Sequence, residues 1–465
     1  MPNIIRKLPS YTCKSLGHWS WQATLLFLAF QALGPFETHL CHAISDTNLP
    51  NIIVIFTDDQ GMHDVSCYGS EIATPEIDKL AKEGMQFTQF YAASSICTPS
   101  RYGLLTGRYP HRSQDNLIGA LMFLEEHDQH RGIRKNEATY VERLNRVGYQ
   151  TALVGKWHLG HGSHEFWPTK HGFDSFFGHT GGCVDFFTLD YSNRPDWYRN
   201  RQLVDTDGYA TDVITDEAIK ILNDSRQNDQ PLYLHVAYNA PHFGKAWNQA
   251  KQAPENVMQP KPNDLKKITD IEDPLRKAFA AKVIGMDECI GKLMAEVERL
   301  GMSENTLVIF MTDHGGDPKY GGSNLPFRGG KATLFEGGIR VPCIARWPNR
   351  ITPGSVSDQP CSAIDLNATF SEISGFENKQ TDGISMLPIL LGKSSPTSRT
   401  LVWHTGSHES LQRKSWTAVR DGDWKWVQQP GQETMLFNLR EDPHETQNLA
   451  KIHIDIAQRL QKLAQ

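Results

Sequence analysis

Residues 51–59 have the sequence Asn-Ile-Ile-Val-Ile-Phe-Thr-Asp-Asp, an uninterrupted apolar run that ends in two adjacent carboxylates. An apolar run without polar alternation is typical of a strand that is buried on both faces, as in a parallel sheet covered by helices. Comparable runs occupy residues 150–154, 231–237 and 306–311. These segments predict the central strands of one large sheet.

Segments with helical periodicity separate the predicted strands. Residues 74–84 begin with Thr74 as N-cap and Pro75 at the first helical position, and they end at a glycine. Further helical patterns cover residues 136–147, 211–223 and 273–300. This alternation predicts an α/β fold in which helices lie on both sides of a large, mostly parallel sheet. Ligands bind at the carboxyl ends of the strands in such folds.

The sequence pattern changes after about residue 395. Short strands are predicted at residues 400–404, 416–419, 424–427 and 435–437, and a helix is predicted at residues 452–464. We therefore expect a small C-terminal antiparallel sheet plus one helix beside the main domain. The predicted organisation is an α/β catalytic domain over residues 44–395 and an α+β subdomain over residues 396–465.

The N-terminal 43 residues differ from the rest of the chain. Arg6, Lys7 and Lys14 precede a short apolar run at residues 23–33, and small residues follow near Ala43. This pattern predicts a signal peptide over residues 1–43, and hence a secreted or periplasmic protein without a stable membrane span. An uncleaved membrane anchor is the alternative. The formal net charge of −6 has no long block of like charges, which argues against a nucleic-acid partner.

Six cysteines lie beyond the predicted signal peptide, and none of them forms a Cys-x-x-Cys pair. They are Cys67, Cys97, Cys183, Cys289, Cys343 and Cys361. Their spacing suggests neither a zinc ribbon nor a disulfide scaffold. In an oxidising compartment one disulfide is possible, and Cys343 with Cys361 is the candidate pair.

Cys97 begins the segment with the most specific chemistry. Residues 97–101 are Cys-Thr-Pro-Ser-Arg, and residues 104–108 are Leu-Leu-Thr-Gly-Arg. A single cysteine is ordinarily a small buried side chain, but this extended segment resembles the signature of the formylglycine-dependent (type I) sulfatases. The resemblance implies that a maturation enzyme oxidises Cys97 to formylglycine, which hydrates to a geminal diol. One diol oxygen would attack sulfur, and the other would expel sulfate as the aldehyde forms again.

Two pairs of adjacent polar residues resemble the metal ligands of that family. Asp58 and Asp59 follow the first strand, and Asp313 and His314 follow the strand at residues 306–311. The resemblance implies that these four residues, with Cys97, bind Ca²⁺, for which hard oxygen ligands are suited. An aspartate pair in a turn or at a helix N-terminus is the simpler alternative. Most relatives have asparagine where this chain has His314, and an imidazole is a softer donor that weakens the preference for calcium.

Three further short motifs follow in the order of the family. They are Gly-Lys-Trp-His at residues 155–158, Pro-His at residues 241–242 and Gly-Lys at residues 330–331. The resemblance implies that Lys156 and Lys331 contact sulfate and that His158 acts as a base. It further implies that His242 lies near the oxygen atom of the leaving group. Either His242 or Lys331 would protonate this oxygen. Arg101 would add positive charge around the transferring group.

The resemblance covers roughly residues 50–450 and implies an alkaline-phosphatase-like core with a four-stranded C-terminal sheet. Overall similarity favours a carbohydrate substrate, as for arylsulfatases and N-acetylgalactosamine sulfatases. Aromatic residues concentrate between residues 166 and 198, where Asp185, Arg194 and Arg199 also lie. These aromatics are candidates for stacking on sugar rings, although core packing is the more common use of large aromatic side chains. They are Phe166, Trp167, Phe176, Phe177, Phe186, Phe187, Tyr191, Trp197 and Tyr198.

Three other functions compete with a carbohydrate sulfatase. A phosphonate monoester or phosphodiester hydrolase of the same superfamily would share the formylglycine site, because a fold does not fix a substrate. A two-zinc phosphatase is disfavoured, because lysines and an arginine occupy the places where a second metal needs carboxylates and histidines. A catalytically inactive calcium-binding protein would be expected to lack Cys97, Arg101 or Lys331, and this chain has all three.

Overall fold

The computed structural model describes residues 49–227, 229–376, 380–393, 398–406 and 414–464. The predicted signal peptide at residues 1–43 lies outside this part of the chain. The predicted boundary between residues 395 and 396 also lies outside it, and both stay predictions. In the described residues, no helix has the length and apolar character needed to cross a membrane.

The strands follow the chain in an order close to the predicted one. They are β1 (Asn51–Asp58), β2 (Met85–Phe87), β3 (Phe90–Tyr91), β4 (Gln150–Lys156), β5 (Ser175–His179), β6 (Tyr198–Arg199), β7 (Gln202–Leu203), β8 (Leu232–Pro241), β9 (Gly244–Asn248), β10 (Ala253–Val257), β11 (Thr306–Thr312), β12 (Cys343–Arg346), β13 (Ser355–Ser357), β14 (Cys361–Ser362), β15 (Thr400–Thr405), β16 (Trp416–Asp421), β17 (Trp424–Gln428) and β18 (Met435–Asn438).

The α-helices lie between these strands. They are α1 (Pro75–Glu83), α2 (Cys97–Thr106), α3 (Tyr140–Arg146), α4 (Ala210–Ser225), α5 (Pro262–Lys266), α6 (Pro274–Arg299), α7 (Glu336–Ile339), α8 (Asp365–Ile373), α9 (Leu387–Leu390) and α10 (Ile454–Leu463). The helix predicted from residue 136 begins only at Tyr140. Thr139 is its N-cap and accepts a hydrogen bond from the Glu142 amide, so the chain before it is not helical.

One ten-stranded sheet forms the centre of the protein. Its order is β13-β2-β12-β11-β1-β8-β4-β5-β6-β7, and the neighbours from β11 through β5 are parallel. Antiparallel pairs join β12 to β11 and β6 to β5 at either side of this parallel block. The predicted large, mostly parallel sheet is therefore confirmed.

Helices cover both faces of this sheet, as predicted. Ile53 and Ile55 of β1 pack in one apolar cluster with residues of α1, α4 and α6. Ile52, Val54 and Phe56 pack in a second cluster with residues of α2, α3 and α8. Each of these side chains is fully buried, and burial of one such side chain contributes roughly 1.5–3 kcal/mol.

The N-terminus of α1 is capped differently from the prediction. Thr74 is the N-cap residue, but its hydroxyl accepts a hydrogen bond from the Ser66 amide. The free amides of α1 donate instead to the carboxylate of Asp287 on α6, at 3.1 Å from Glu76 N and 2.9 Å from Ile77 N. A distant residue thus supplies the cap that local sequence assigned to Thr74.

The C-terminal strands form the predicted small antiparallel sheet, in the order β15-β16-β17-β18. One face packs against α10 through Trp426 and Leu460. The other face packs against residues around Phe335, which precedes α7. Between the sheet and α7, Lys425 forms fully buried ion pairs with Glu336 and Glu445.

The predicted disulfide between Cys343 and Cys361 is wrong. Cys343 lies on β12 of the large sheet, whereas Cys361 lies on β14, which pairs only with β3 among the described strands. Both side chains are buried free thiols in the same apolar cluster. They fill core volume as small apolar side chains do.

Candidate active site

The sheet topology brings the predicted site residues to one edge. β1 lies between the parallel strands β11 and β8, and Asp58 at its end is paired in register with Pro241. β4 lies on the far side of β8 and ends at Lys156. The residues that follow these strands therefore meet, and they include Asp59, His242 and Asp313.

Cys97 is the first residue of α2 and points into this edge. Its Sγ lies 3.6 Å from Oδ1 of Asp58 and 3.1 Å from Nε2 of His314. Burial alone would raise the pKa of the Cys97 thiol, but Lys156, Lys331 and His314 hold it well below the usual value. The helix N-terminus favours negative charge at the same atom. This position is suited to an anionic nucleophile.

Three buried aspartates converge beside Cys97. Ligand atoms of Asp58, Cys97, Asp313 and His314 lie within 4.8 Å of one another, and Asp59 belongs to an overlapping group. Burial, followed by repulsion from Asp313, raises the pKa of Asp58 to about 7. Several buried carboxylates repel one another, and a bound divalent cation offsets this repulsion. The donor set therefore fits a metal ion.

The ring of His314 is oriented to contribute to that donor set. Its Nδ1 lies 2.9 Å from the backbone carbonyl oxygen of Gly315, so the proton belongs on Nδ1. Nε2 then lies 3.3 Å from Asp59 Oδ1 and 3.1 Å from the Cys97 Sγ, where its lone pair is available to a metal ion held between these groups. A carbonyl that fixes the tautomer of a histidine is the usual second contact of a metal-binding imidazole.

Two further histidines have the same arrangement. Nε2 of His158 lies 2.8 Å from the Leu121 carbonyl oxygen, and its buried Nδ1 has no hydrogen-bond partner in the described structure. Nδ1 of His242 lies 2.8 Å from the Phe243 carbonyl oxygen, which leaves Nε2 facing Asp59. In each ring one nitrogen contacts a backbone carbonyl oxygen, and the other nitrogen can accept or donate a proton according to the protonation of the ring.

Lys156 and Lys331 place two positive charges beside the carboxylates. Nζ of Lys156 lies 2.6 Å from Oδ2 of Asp58, and Nζ of Lys331 lies 2.6 and 2.7 Å from the two oxygens of Asp59. Burial lowers the pKa of both amines, but the adjacent carboxylates outweigh it and the net shift is upward. Both lysines therefore stay charged at neutral pH.

The guanidinium group of Arg101 lies beside Asp58 and Asp313. One guanidinium nitrogen donates to Oδ2 of Asp313 at 3.2 Å, and the other donates to the Lys156 carbonyl oxygen at 3.1 Å. The guanidinium carbon lies 4.9 Å from the centroid of the Phe56 ring. The hydrogen bond to Asp313 is suited to holding that residue in place. Arg101 and Lys156 are both absent from the lining of the adjacent cavity.

A cavity of about 340 Å³ opens onto Cys97. Cys97, His158, His242 and the side chain of Lys331 are buried groups of its lining, and they define its inner end. The other lining residues are Ile96, Ala120, Leu121, Met122, Gly182, Cys183, Tyr191, Phe243, Lys245, Asn256, Asp317, Lys319, Tyr320 and Ala332. The volume lies within the range of cavities that bind small molecules.

Comparison with known proteins identifies the family of this arrangement. The sulfatase family model matches residues 50–376, which is more than half of the chain. The chain belongs to the sulfatase family. A second model, described as the C-terminal part of N-sulphoglucosamine sulphohydrolase, matches residues 330–465. The predicted membership of the type I sulfatases is confirmed, and the protein is an enzyme that hydrolyses sulfate esters.

Individual sulfatases are similar over most of this chain. N-acetylgalactosamine-6-sulfatase of Canis lupus familiaris is 33% identical over 402 residues, which are 81% of this chain and 72% of the relative. Arylsulfatase J of Mus musculus is 30% identical over 467 residues, covering 89% of this chain and 75% of the relative. The crystal structure of Ps i-CgsB has a TM-score of 0.80 and 31% identity, covering 89% of this chain and 91% of that chain.

Most aromatic residues proposed for sugar stacking lie in the core of the sulfatase. Tyr191 lines the cavity, whereas Phe187 is exposed and Tyr198 is half-buried on β6. The other six are buried: Phe166, Trp167, Phe176, Phe177, Phe186 and Trp197. For these six the core-packing alternative is confirmed and sugar stacking is excluded. Phe177, Phe186 and Trp197 pack in one cluster with residues of α4, whereas Phe176 packs in the cluster that contains residues of α3 and α8.

The polar residues proposed beside these aromatics have structural contacts. Asp185 accepts hydrogen bonds from the amides of Phe187 and Thr188, and Arg199 pairs with Glu217 on α4. Arg194 is exposed and does not line the cavity.

Sequence reasoning missed the residues that form the outer part of the cavity. Phe243 follows His242 directly, and that adjacency is a signal that points to it. Lys245 and Asn256 lie on the β9–β10 hairpin, and Lys319 and Tyr320 lie in a short turn after β11. These segments have no family motif and no apolar periodicity, so only the structure brings them to the sulfatase site.

Proposed function

We propose that this sulfatase removes sulfate from a sulfated carbohydrate, with formylglycine derived from Cys97 as nucleophile and Ca²⁺ as cofactor. The observation that carries the proposal is the position of Cys97 Sγ at the N-terminus of α2. There it contacts both Asp58 and His314. An unmodified thiol would be the less suitable nucleophile, because it has no second oxygen with which to release the sulfate.

The Cys97 Sγ stands in for an oxygen atom of the oxidised and hydrated residue. Formylglycine supplies one oxygen that attacks sulfur and a second whose proton loss releases sulfate. Nδ1 of His158, buried and without a partner in the described structure, is placed to accept that proton. Nε2 of the same ring is held by the Leu121 carbonyl, so the accepting nitrogen keeps its orientation.

Asp58, Asp59, Asp313 and His314 would hold the metal ion, with the residue at position 97 completing the set. When bound, Ca²⁺ would attract electron density from a sulfate oxygen and offset the negative charge of the site. Arg101 keeps Asp313 in the orientation that this requires through its 3.2 Å hydrogen bond. Asp313 is also near enough to Cys97 to assist loss of a proton from the attacking hydroxyl group.

Lys156, Lys331 and His242 act on the sulfate group. The two charged amines stabilise negative charge as it develops on the sulfate oxygens, in a site from which bulk water is largely excluded. His242 and Lys331 line the cavity, so either can protonate the departing sugar oxygen. Removal of one such donor typically costs roughly 2.7–4 kcal/mol of barrier.

A carbohydrate is the substrate class that fits the cavity. Tyr191, Phe243 and Tyr320 provide aromatic surface, and Lys245 and Asn256 provide polar groups beside it. This combination is suited to a sugar, whose ring faces are apolar and whose hydroxyls need partners. The support from relatives is that similar proteins include N-acetylgalactosamine-6-sulfatases and a Ps i-CgsB crystal structure that contains k-i-k-neocarrahexaose.

We propose export of the protein to a secreted or periplasmic location, from the signal-peptide pattern in residues 1–43. A formylglycine-generating enzyme would then be the one obligatory partner, acting on residues 97–101 before or during folding. The reason is that Cys97 is buried in the folded structure and is not accessible to another protein.

Sulfate release from a panel of sulfated mono- and oligosaccharides, co-expressed with a maturation enzyme, tests the proposal. We expect release from at least one sugar sulfate by the wild type and none by the Cys97→Ala variant. Phosphonate monoesters and phosphodiesters are assayed in parallel. Cleavage of these compounds without cleavage of any sugar sulfate would contradict the proposed substrate class.

A further inference from the structure

The outer part of the active-site cavity has an excess of positive charge. The half-buried Lys245 and the exposed Lys319 line it, and Asp317 is the one carboxylate among its described lining residues. Asp317 accepts a hydrogen bond from the backbone amide of Lys319 and keeps its negative charge. Three lysines line the same cavity, so the net charge of its described lysine and carboxylate side chains is positive. The two outer lysines are therefore free to attract an anion.

Lys245 is held in position by its neighbours. It lies on β9, and its Nζ donates to Oδ1 of Asn256 on β10 at 2.8 Å. The same amine lies 5.9 Å from the centroid of the Tyr191 ring. Neither neighbour has a formal charge, so the positive charge of Lys245 is oriented but not neutralised.

The β9–β10 hairpin, which includes Lys245, is hydrogen-bonded to the turn after β11, which includes Lys319. Nδ2 of Asn256 donates to the Tyr320 hydroxyl at 2.9 Å, and the Tyr320 ring lies 4.4 Å from that of Phe243. Lys319 Nζ lies 5.7 Å from the Tyr320 ring centroid. Asn256 thus links both lysines through a defined set of hydrogen bonds and ring contacts.

We propose that Lys245 and Lys319 recognise a second anionic group on the substrate, distinct from the sulfate that is hydrolysed. The inference rests on the proposed carbohydrate sulfatase function and narrows its substrate to sugars that carry at least two anionic groups. The second group is a sulfate or a carboxylate on the sugar next to the one that loses its sulfate, because the lysines lie outside the inner end that holds Cys97.

Charge recognition of this kind predicts a preference between two matched substrates. One is a disaccharide with a single sulfate ester, and the other is the same disaccharide with a second sulfate ester on the neighbouring sugar. The ratio of their kcat/KM values in one enzyme preparation is independent of the fraction of Cys97 that is oxidised. We expect the doubly sulfated compound to be preferred and the preference to weaken as salt is added.

The Lys245→Met/Lys319→Met double variant provides the test. We expect its preference ratio to fall by about tenfold or more, the loss typical of hydrogen bonds to a charged group. The matched control is Lys266→Met, an exposed lysine on α5 that does not line the cavity. Its ratio should equal that of the wild type.

Failure of this inference differs from failure of the proposed function. A double variant with the preference ratio of the wild type would overturn the role of the two lysines, while sugar sulfatase activity stands. A wild-type enzyme that shows oxidised Cys97 but hydrolyses neither disaccharide nor any other sugar sulfate would overturn the proposed function itself.

A second observation concerns a buried lysine on α6. Lys282 is 2% exposed, and its Nζ donates to the His242 carbonyl oxygen at 2.6 Å. The amine also lies 3.2 Å from the centroid of the Phe186 ring. A buried amine whose contacts are a carbonyl group and an aromatic ring is costly, since burial disfavours its charged form. Core packing alone would favour an apolar residue here.

The contact of Lys282 bears directly on the sulfate site. The His242 carbonyl belongs to the peptide group that joins His242 to Phe243, and the His242 ring donates from Nδ1 to the Phe243 carbonyl oxygen. The Nε2 atom of that ring faces Asp59 and the cavity. Fixing the backbone at His242 therefore fixes the direction of Nε2.

We infer that Lys282 is a positioning residue that orients His242 toward the sulfate ester. This inference also rests on the proposed function, in which His242 acts near the leaving oxygen. A positioning role and a purely structural role predict opposite combinations of stability and activity, so the two can be separated.

The Lys282→Met variant tests this role, because methionine has a similar length and no donor. We expect kcat to fall by about tenfold to a hundredfold, as misplacement of a catalytic group commonly causes. We expect the melting temperature to stay equal or rise, since the buried amine is removed. The Lys282→Gln variant keeps an N–H donor and should recover part of kcat. A Lys282→Met enzyme that keeps the wild-type kcat, or loses stability and kcat together, would overturn the inference.

Discussion

Nε2 of His314 lies 3.1 Å from Sγ of Cys97. The residue that departs from the usual family pattern is thus in contact with the nucleophile position. The carbonyl of Gly315 fixes the His314 tautomer so that Nε2 faces the aspartates. With a nitrogen ligand at this position, the metal site has one hard oxygen donor fewer. This should reduce its selectivity for Ca²⁺ over transition metals.

We expect the His314→Asn variant to bind Ca²⁺ more selectively than the wild type. An amide oxygen is a harder donor than an imidazole, which also binds transition metals. Protein stripped with a chelator is titrated with Ca²⁺ and with Mn²⁺, and the rise in melting temperature is followed. His111→Asn, a replacement outside the metal site, is the control. Equal Ca²⁺ to Mn²⁺ preference in wild type and His314→Asn would show that His314 is not a ligand.

Lys156 and Lys331 are expected to act on the transition state. For Lys156→Met and Lys331→Met we predict kcat reductions of roughly 10²–10³-fold, the usual effect of removing one donor to a developing anion. The control is Lys220→Met, an exposed lysine on α4. Steady-state kinetics corrected for the fraction of oxidised Cys97 measure the effect. Loss confined to KM, with kcat unchanged, would indicate ground-state binding only and contradict this role.

Lys425 joins the C-terminal sheet to the segment that includes α7. Its Nζ lies 2.8 Å from Glu336 Oε1 and 2.9 Å from Glu445 Oε1, with all three side chains buried. Lys425→Met leaves Glu445 without its cation and leaves Glu336 with Arg340 as its one ion-pair partner in the described structure, so we predict a loss of about 3–5 kcal/mol in the free energy of unfolding. Denaturant unfolding measures this loss, and Lys462→Met on the exposed face of α10 is the control. A change no larger than that of the control would refute the prediction.

Asp287 is remote from the catalytic residues, and we expect its carboxyl group to make the free energy of unfolding depend on pH. Burial raises the pKa of this carboxyl group to about 7, although the amides of Ile77 and Glu76 lower it. Because the folded-state pKa is raised, its stabilising contribution is present below about pH 4. That contribution is lost as the pH rises through 7.

The Asp287→Asn variant isolates this effect, since asparagine keeps an oxygen acceptor and does not ionise. Between pH 4 and pH 8, the stability of the wild type should fall relative to that of the variant. Unfolding free energies at several pH values give this difference, with the exposed Asp270→Asn variant as reference. A difference that does not change with pH would contradict the prediction.

Much of the inner site could be predicted from the sequence, because the carboxyl ends of parallel strands lie at the same edge of the sheet. Asp58 ends β1 and Asp313 follows the adjacent β11. Their apolar runs predicted that both lie at strand ends, and the family resemblance implied that they share one site. Arg101 shows the limit of this reasoning. The family resemblance implied that it adds positive charge around the transferring group, and only the structure reveals that it also donates a hydrogen bond to Asp313.

The outer cavity could not be predicted, for a physical reason. Lys245 and Tyr320 lie on a hairpin and a turn, whose relative positions depend on tertiary contacts such as the hydrogen bond from Asn256. Composition could not separate core packing from sugar stacking for Phe176 and Phe186, because an aromatic ring has the same apolar character in both places. The missing disulfide at Cys343 has a similar origin, since spacing does not reveal which thiols fill a core.

The most direct test of the account is the mass of the peptide that contains Cys97, measured in the active enzyme. Tryptic digestion releases residues 83–101, and a carbonyl-reactive reagent labels the peptide only if position 97 is an aldehyde. The account predicts that preparations differ in sulfatase activity in proportion to the labelled fraction. Full activity in a preparation whose Cys97 is entirely an unmodified thiol would contradict it.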